Sequence, residues 1–211
     1  MRDALFMGRL TAQATHEMQN ILATIRESSG LMEDLLALDG EGFAHTERFK
    51  KSLAVLSAQV ERGMVLSEQL NFCAHSPEAS PAGAEVDAAL HALVGLFQRT
   101  AARCRVSLAL TPGRTALRTA LRSVEVMSLA GLALDCALPL LPRGAALTLA
   151  ASEQEGVAVV RLDAPGHEAL RERPEYADLA GFAKALGVGL GPGPNGLGLE
   201  LSLPRVTAQG A

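Results

Sequence analysis

Apolar or small residues recur through the first part of the chain at Met7, Ala14, Met18, Ile21, Ile25, Ser28, Met32 and Leu35. From Ala14 onward the steps alternate four and three, the spacing of a helix-bundle seam. The pattern predicts one long helix from about Asp3 to Leu38, broken by the two glycines of Asp39-Gly40-Glu41-Gly42. A second seam runs through Phe49, Leu53, Leu56, Val60, Gly63, Ser67 and Leu70, in a helix that begins near Thr46. The short connection predicts an antiparallel hairpin. Leu10, Leu22, Leu31 and Leu36 then remain as apolar flanks. Leucines at this density form a sticky patch unless covered, so a homodimeric four-helix bundle is expected, with cover by the rest of the chain as the alternative.

His75-Ser76-Pro77-Glu78-Ala79-Ser80-Pro81-Ala82-Gly83 has the two prolines and small polar residues of a linker. The organisation expected is a hairpin over 1–75, a linker over 76–84 and a second unit over 85–211. In that unit the pattern predicts a helix from about Glu85 to Arg103, a strand Val106 to Leu110 and a turn at Pro112-Gly113. A helix from about Ser123 to Leu140 is apolar nearly all round and so buried. Strands Ala146 to Ala151 and Val157 to Leu162 pair across a turn from Glu153 to Gly156, a short helix covers Tyr176 to Leu186, and a last strand runs from Gly196 to Pro204. The fold class is α+β: a helical hairpin followed by an α/β sandwich.

Composition narrows the function. Hydrophobic residues make up 48% and aromatics 3%, with no Trp, so the core is built from Leu, Ala and Val. A net charge of -4, with few rings to stack on bases, argues against nucleic acid. Cys73, Cys104 and Cys136 are widely spaced and odd in number, as in reduced, cytosolic proteins. The amino terminus lacks a sustained apolar signal region. The run Leu129 to Leu141 contains Asp135 and is shorter than the roughly 20 residues a bilayer requires. A soluble protein without membrane insertion is expected.

The candidate chemistry lies in Ala14-Thr15-His16-Glu17-Met18-Gln19-Asn20-Ile21-Leu22-Ala23. With Ala14 at heptad position d, His16 falls at f and points to solvent, with Glu17 beside it and Asn20 one turn on. A zinc-protease helix needs a second histidine four residues after the first, and that position is Asn20, so no metal site is expected. The run Gly191-Pro192-Gly193-Pro194-Asn195-Gly196-Leu197-Gly198 lacks the P-loop lysine and leads into a strand, and is read as a turn. His45, His75, His91 and His167 have no helical partner at ligand spacing and are assigned surface or linker roles.

His-Glu-x-x-Asn-x-Leu, followed by a second amphipathic helix and a Pro/Ser linker, resembles the phosphoacceptor box of bacterial two-component sensor histidine kinases, and the order of later elements is similar to that family's ATP-binding domain. The resemblance implies that His16 is the phosphoacceptor and that Glu17 hydrogen-bonds the ring or acts as general base. It implies too that Asn20 orients a water for dephosphorylating a partner. A receiver domain of a response regulator would then dock beside His16, near Thr15, Gln19 and Ala23. The nucleotide boxes depart from the family. Asp135-Cys136-Ala137 puts Cys136 where the family has a metal-binding Asn, and Pro139 where it has a basic residue. Cysteine is a poor substitute for a hard oxygen ligand of Mg²⁺.

In Asp163-Ala164-Pro165-Gly166-His167, Asp163 keeps the adenine-contacting position while Pro165 and His167 stand where the family has glycines. Little chain follows for a phosphate-covering lid. The nucleotide site reads as vestigial, so no cofactor is expected, neither ATP nor Mg²⁺. The reading is a phosphorelay protein passing a phosphoryl group between His16 and a receiver aspartate. The alternatives are an ATP-dependent autokinase with a divergent site and a non-catalytic receiver-binding or phosphatase module. No membrane or sensor segment precedes the hairpin, so another protein is expected to supply the input.

Overall fold

The computed structural model describes residues 2–38, 45–78, 83–111, 113 and 116–206. Helix α1 spans Arg2–Leu38 and helix α2 spans Thr46–His75. The predicted breaker at Asp39 to Gly42 lies outside the described residues. The α1 seam packs as its spacing requires, with Ala14, Ile21 and Leu35 buried and Met7, Met18, Ile25, Ser28 and Met32 half-buried.

On α2 the seam is displaced by one residue at alternate steps. Phe49, Leu56, Gly63 and Leu70 face inward, but their companions are Ser52, Gln59, Leu66 and Cys73. The expected Leu53 and Val60 are 49% and 51% exposed and Ser67 is also exposed. Leu53, Val60 and Met64 instead form a second stripe about a quarter-turn away. Hydrophobicity placed Leu53 and Val60 in the seam, and the packing turns these two outward.

The rest of the chain forms two layers. Strand β1 (Ala84–Glu85) leads into α3 (Val86–Cys104), then β2 (Ser107–Thr111), β3 (Arg118–Thr119) and α4 (Ser123–Ala137), which continues as a single 3₁₀ turn, Leu138–Leu140. Strands β4 (Ala146–Gln154) and β5 (Val157–Gly166) form a hairpin. Helices α5 (His167–Arg171) and α6 (Pro174–Ala185) follow, and then the edge hairpin of β6 (Gly189–Pro192) and β7 (Leu197–Ser202). The main sheet has the order β2-β4-β5-β7-β6; β2 pairs with β4 in parallel and the other pairs are antiparallel. A parallel pair needs a crossover, and α4 supplies it.

The burial of β4 alternates, with Leu147, Leu149 and Ala151 buried and Thr148, Ala150 and Ser152 half-buried. One face of the sheet therefore carries the helices and the other meets water. By length and composition Ser123–Leu140 is apolar enough to cross a membrane, yet it is 67% buried in the protein as a core helix.

The hairpin and the sandwich share a core. Leu10, expected as a flank, is fully buried and belongs to the cluster that contains Leu93, Phe97 and Leu134. A buried leucine of this kind stabilises the docked arrangement by roughly 2 kcal/mol. Gly131 on α4 lies where a Cβ would stand 2.9 Å from the Phe6 ring, so the glycine admits α1 closely. At the starts of α1 and α4, the Arg122 guanidinium donates to Asp3 at 2.9 Å and to Glu125 at 2.7 Å. By contrast Leu22, Leu31 and Leu36 remain 58%, 49% and 53% exposed.

Candidate functional site

His16, Asn20, Thr15, Gln19 and Ala23 are all exposed on α1, as the heptad count requires. The His16 ring makes no hydrogen bond or ion pair among the described residues. The Thr15 and Thr24 hydroxyls donate to the carbonyls of Thr11 and Asn20 at 2.8 and 3.0 Å, which fixes both threonines against their own helix. What remains around His16 is an exposed helix face with an accessible imidazole.

Glu17 departs from expectation. Adjacent helical residues diverge by about 100°, so its side chain leaves the His16 face and turns toward the neighbouring helices. Its side chain is only 13% exposed; one carboxylate oxygen pairs with Arg62 of α2 and the other accepts from Arg99 of α3 at 3.4 Å. The hydrogen bond that Glu17 was expected to accept from the His16 ring is therefore not made. Gln13, one turn earlier on the same face, donates to Thr100 at 3.0 Å. Gln13, Glu17, Arg62 and Arg99 line a cavity of about 160 Å³ between the hairpin and α3, together with Gln69 and Gly95. Arg62 and Arg99 were not singled out in the sequence. Position g of the heptad, where Glu17 falls, is one that seeks an opposite charge on a neighbouring helix.

The residues corresponding to the nucleotide boxes lie on α4 and at the end of β5. Cys136 is fully buried in the core, and burial pushes its thiol up to about 12. Asp135 faces α1 and pairs with Arg9 at 2.5 Å; burial raises its carboxyl above the usual range, and the Arg9 charge opposes that rise. The Arg9 guanidinium also lies 5.8 Å from the Phe6 ring centroid and 5.6 Å from that of Phe97.

Asp163 is exposed on β5, opposite Thr148 of β4. Two residues along from Arg161, Asp163 shares that residue's side of β5, the side of the Arg161–Glu200 ion pair at 2.8 Å. Helix α5 begins at His167, directly after β5, and only Glu172 and Arg173 separate it from α6. Tyr176 Oη and His167 Nε2 lie 3.4 Å apart where that helix pair meets.

No protein-family model and no curated protein matches the chain. Among solved structures, a bacterial phosphotransferase is similar at a TM-score of 0.50 and 14% identity, the match covering 94% of this chain and 96% of that one. The chain has the fold of that phosphotransferase. The Erythrobacter litoralis EL346 blue-light activated histidine kinase has a TM-score of 0.48 at 14% identity, over 94% of this chain and 63% of that one. The Acinetobacter baumannii histidine kinase AdeS has a TM-score of 0.48 at 12% identity, over 90% of this chain and 98% of that one.

Proposed function

We propose that this chain is a histidine phosphotransfer protein of two-component signalling, working in the cytosol as a homodimer, with His16 exchanging a phosphoryl group with the aspartate of a receiver domain. The observation that carries the reading is the exposed His16 imidazole, without a polar partner among the described residues, beside a Glu17 that Arg62 and Arg99 engage elsewhere.

In the forward step a ring nitrogen attacks the phosphorus of the receiver's aspartyl phosphate. The N–P bond forms, the P–O bond to the carboxyl breaks and the aspartate leaves as a carboxylate. An exposed neutral imidazole has the lone pair this requires, and in-line placement by the docked partner supplies most of the remaining catalysis. No base on this chain is needed.

Two features support a partner-fed histidine over an autokinase. Cys136 offers no side-chain oxygen to a metal and is sealed in the core, and α5 and α6 occupy the chain that would otherwise form a lid. The dimer reading is supported by the exposed apolar positions Leu22, Leu31, Leu36, Leu53, Val60 and Met64, all on the hairpin.

The test is to load a panel of receiver domains with labelled phosphate and mix each with the chain and with His16→Gln. Label on the wild-type chain alone supports the reading. Equal labelling of both, or labelling by ATP and Mg²⁺ without any receiver, refutes it. Asn20, exposed one turn from His16, favours a second activity, the dephosphorylation of a docked receiver. An unchanged receiver lifetime with Asn20→Ala removes that activity.

A further inference from the structure

Among the described residues, four polar links join one face of α1 to the second unit: Asp3 to Arg122, Arg9 to Asp135, Gln13 to Thr100, and Glu17 to Arg99. The last differs from the others because its carboxylate also binds Arg62, so that α1, α2 and α3 meet at one side chain. We infer that Glu17 is the hub of a three-helix charge clamp that seats the second unit beside His16 and fixes the rotation of α1, and that it is a positioning residue with no proton-transfer role at His16.

The argument is geometric. Helical neighbours point about 100° apart, so turning α1 to bring Glu17 toward a partner at His16 would pull it from both guanidiniums. Two cations on a side chain this buried hold it more firmly than one exposed pair would. With Glu17 held, His16 and Asn20 face outward together, the arrangement a docking receiver meets.

Only the statement about His16's chemistry rests on the proposed function. The test therefore uses diethyl pyrocarbonate, which reports ring nucleophilicity without a partner. A ring nitrogen attacks a carbonyl carbon, an N–C bond forms, and the anhydride C–O bond breaks to release ethyl carbonate, which decays to ethanol and carbon dioxide. Three variants are compared: Glu17→Gln, Arg62→Gln with Arg99→Gln, and all three substitutions together. Modification of His16 is followed by peptide mass spectrometry across pH, and each variant's thermal midpoint is measured.

The clamp predicts that the two partial variants each lose about 2–5 °C because each strands one sign of charge, and that the triple variant melts above the double Arg variant. It also predicts that His16 reacts within about twofold of wild type in all of them, with an unchanged pH profile. Additive midpoints overturn the clamp. A His16 rate that falls several-fold in Glu17→Gln and rises in the double Arg variant overturns it in favour of a general base. If Glu17→Gln does not fold alone, the double and triple variants carry both comparisons. Failure of labelled transfer to His16 would remove the phosphoacceptor reading and leave the midpoint comparison intact.

Discussion

Replacing Arg9 with Met removes a charge from the junction of α1 with α4 and leaves Asp135 without its cation. The Asp135 side chain is 20% exposed and that of Arg9 41%. Breaking a fully buried pair costs about 3–5 kcal/mol and a surface pair about 0–1. This pair lies between, and solvent screening of the Arg9 head brings the loss to about 2 kcal/mol. The guanidinium's contacts with Phe6 and Phe97 add about 0.5 kcal/mol. The expected cost of about 2.5 kcal/mol lowers the thermal midpoint by about 5–10 °C.

The pH dependence has a definite sign. Burial raises the Asp135 carboxyl in the folded state, and Arg9 is what opposes the rise. Without Arg9 the folded protein holds that proton to higher pH than the unfolded chain does. The variant is therefore least impaired in acid, and its deficit grows as pH climbs from about 4 through the raised Asp135 value. Adding Asp135→Asn should return most of the loss. Calorimetric melts of the two single variants and the double variant at several pH values decide the matter. A deficit below about 0.5 kcal/mol at neutral pH, or one that Asp135→Asn does not ease, refutes the account of this junction.

Leu53→Glu with Val60→Glu charges the exposed stripe of α2, and sedimentation equilibrium should show the dimer dissociating to monomer while the helical signal is kept; a wild-type chain already monomeric would dispose of the proposed bundle. Gly198, at φ +64 in β7 opposite the irregular stretch of β5, has no room for a side chain because a Cβ would collide with the Leu162 carbonyl oxygen. Gly198→Ala should cost about 2–4 kcal/mol in urea unfolding, and a loss under about 1 kcal/mol would contradict the strand geometry. Burial pushes the thiols of Cys73 and Cys136 up to about 11 and about 12. Iodoacetamide at mildly alkaline pH should therefore label half-buried Cys104 first and reach the other two on unfolding; early labelling of Cys136 would place it outside the core.

Element types were largely legible from period and punctuation, because α1, α2, α3, α4 and the β4–β5 hairpin carry strong 3.6 or 2.0 patterns. The edge strand β6 was not, since its glycines and proline read as a turn, and an edge position is where a strand tolerates them. On α2 the period was right and the face was off by one residue at alternate steps. Ser52 and Gln59 are packed inward while Leu53 and Val60 look outward, a choice set by what α1 and any second copy offer rather than by hydrophobicity. Leu10 was covered by the second unit, contact between distant segments that a local pattern does not carry.

His16 was legible as an exposed side chain because heptad position fixes direction. The partners of Glu17 were not, because they lie on α2 and α3, and the outward turn of Asp163 depends on which face of the sheet the helices cover.

The central claim is that phosphoryl reaches His16 from a receiver. Phosphorus-31 NMR of the chain mixed with a phosphorylated receiver tests it most directly. The account predicts decay of the acyl phosphate signal with growth of a phosphoramidate signal in the wild-type chain, and no such signal with His16→Gln. A phosphoramidate signal that persists in His16→Gln, or that arises from ATP and Mg²⁺ with no receiver present, would contradict it.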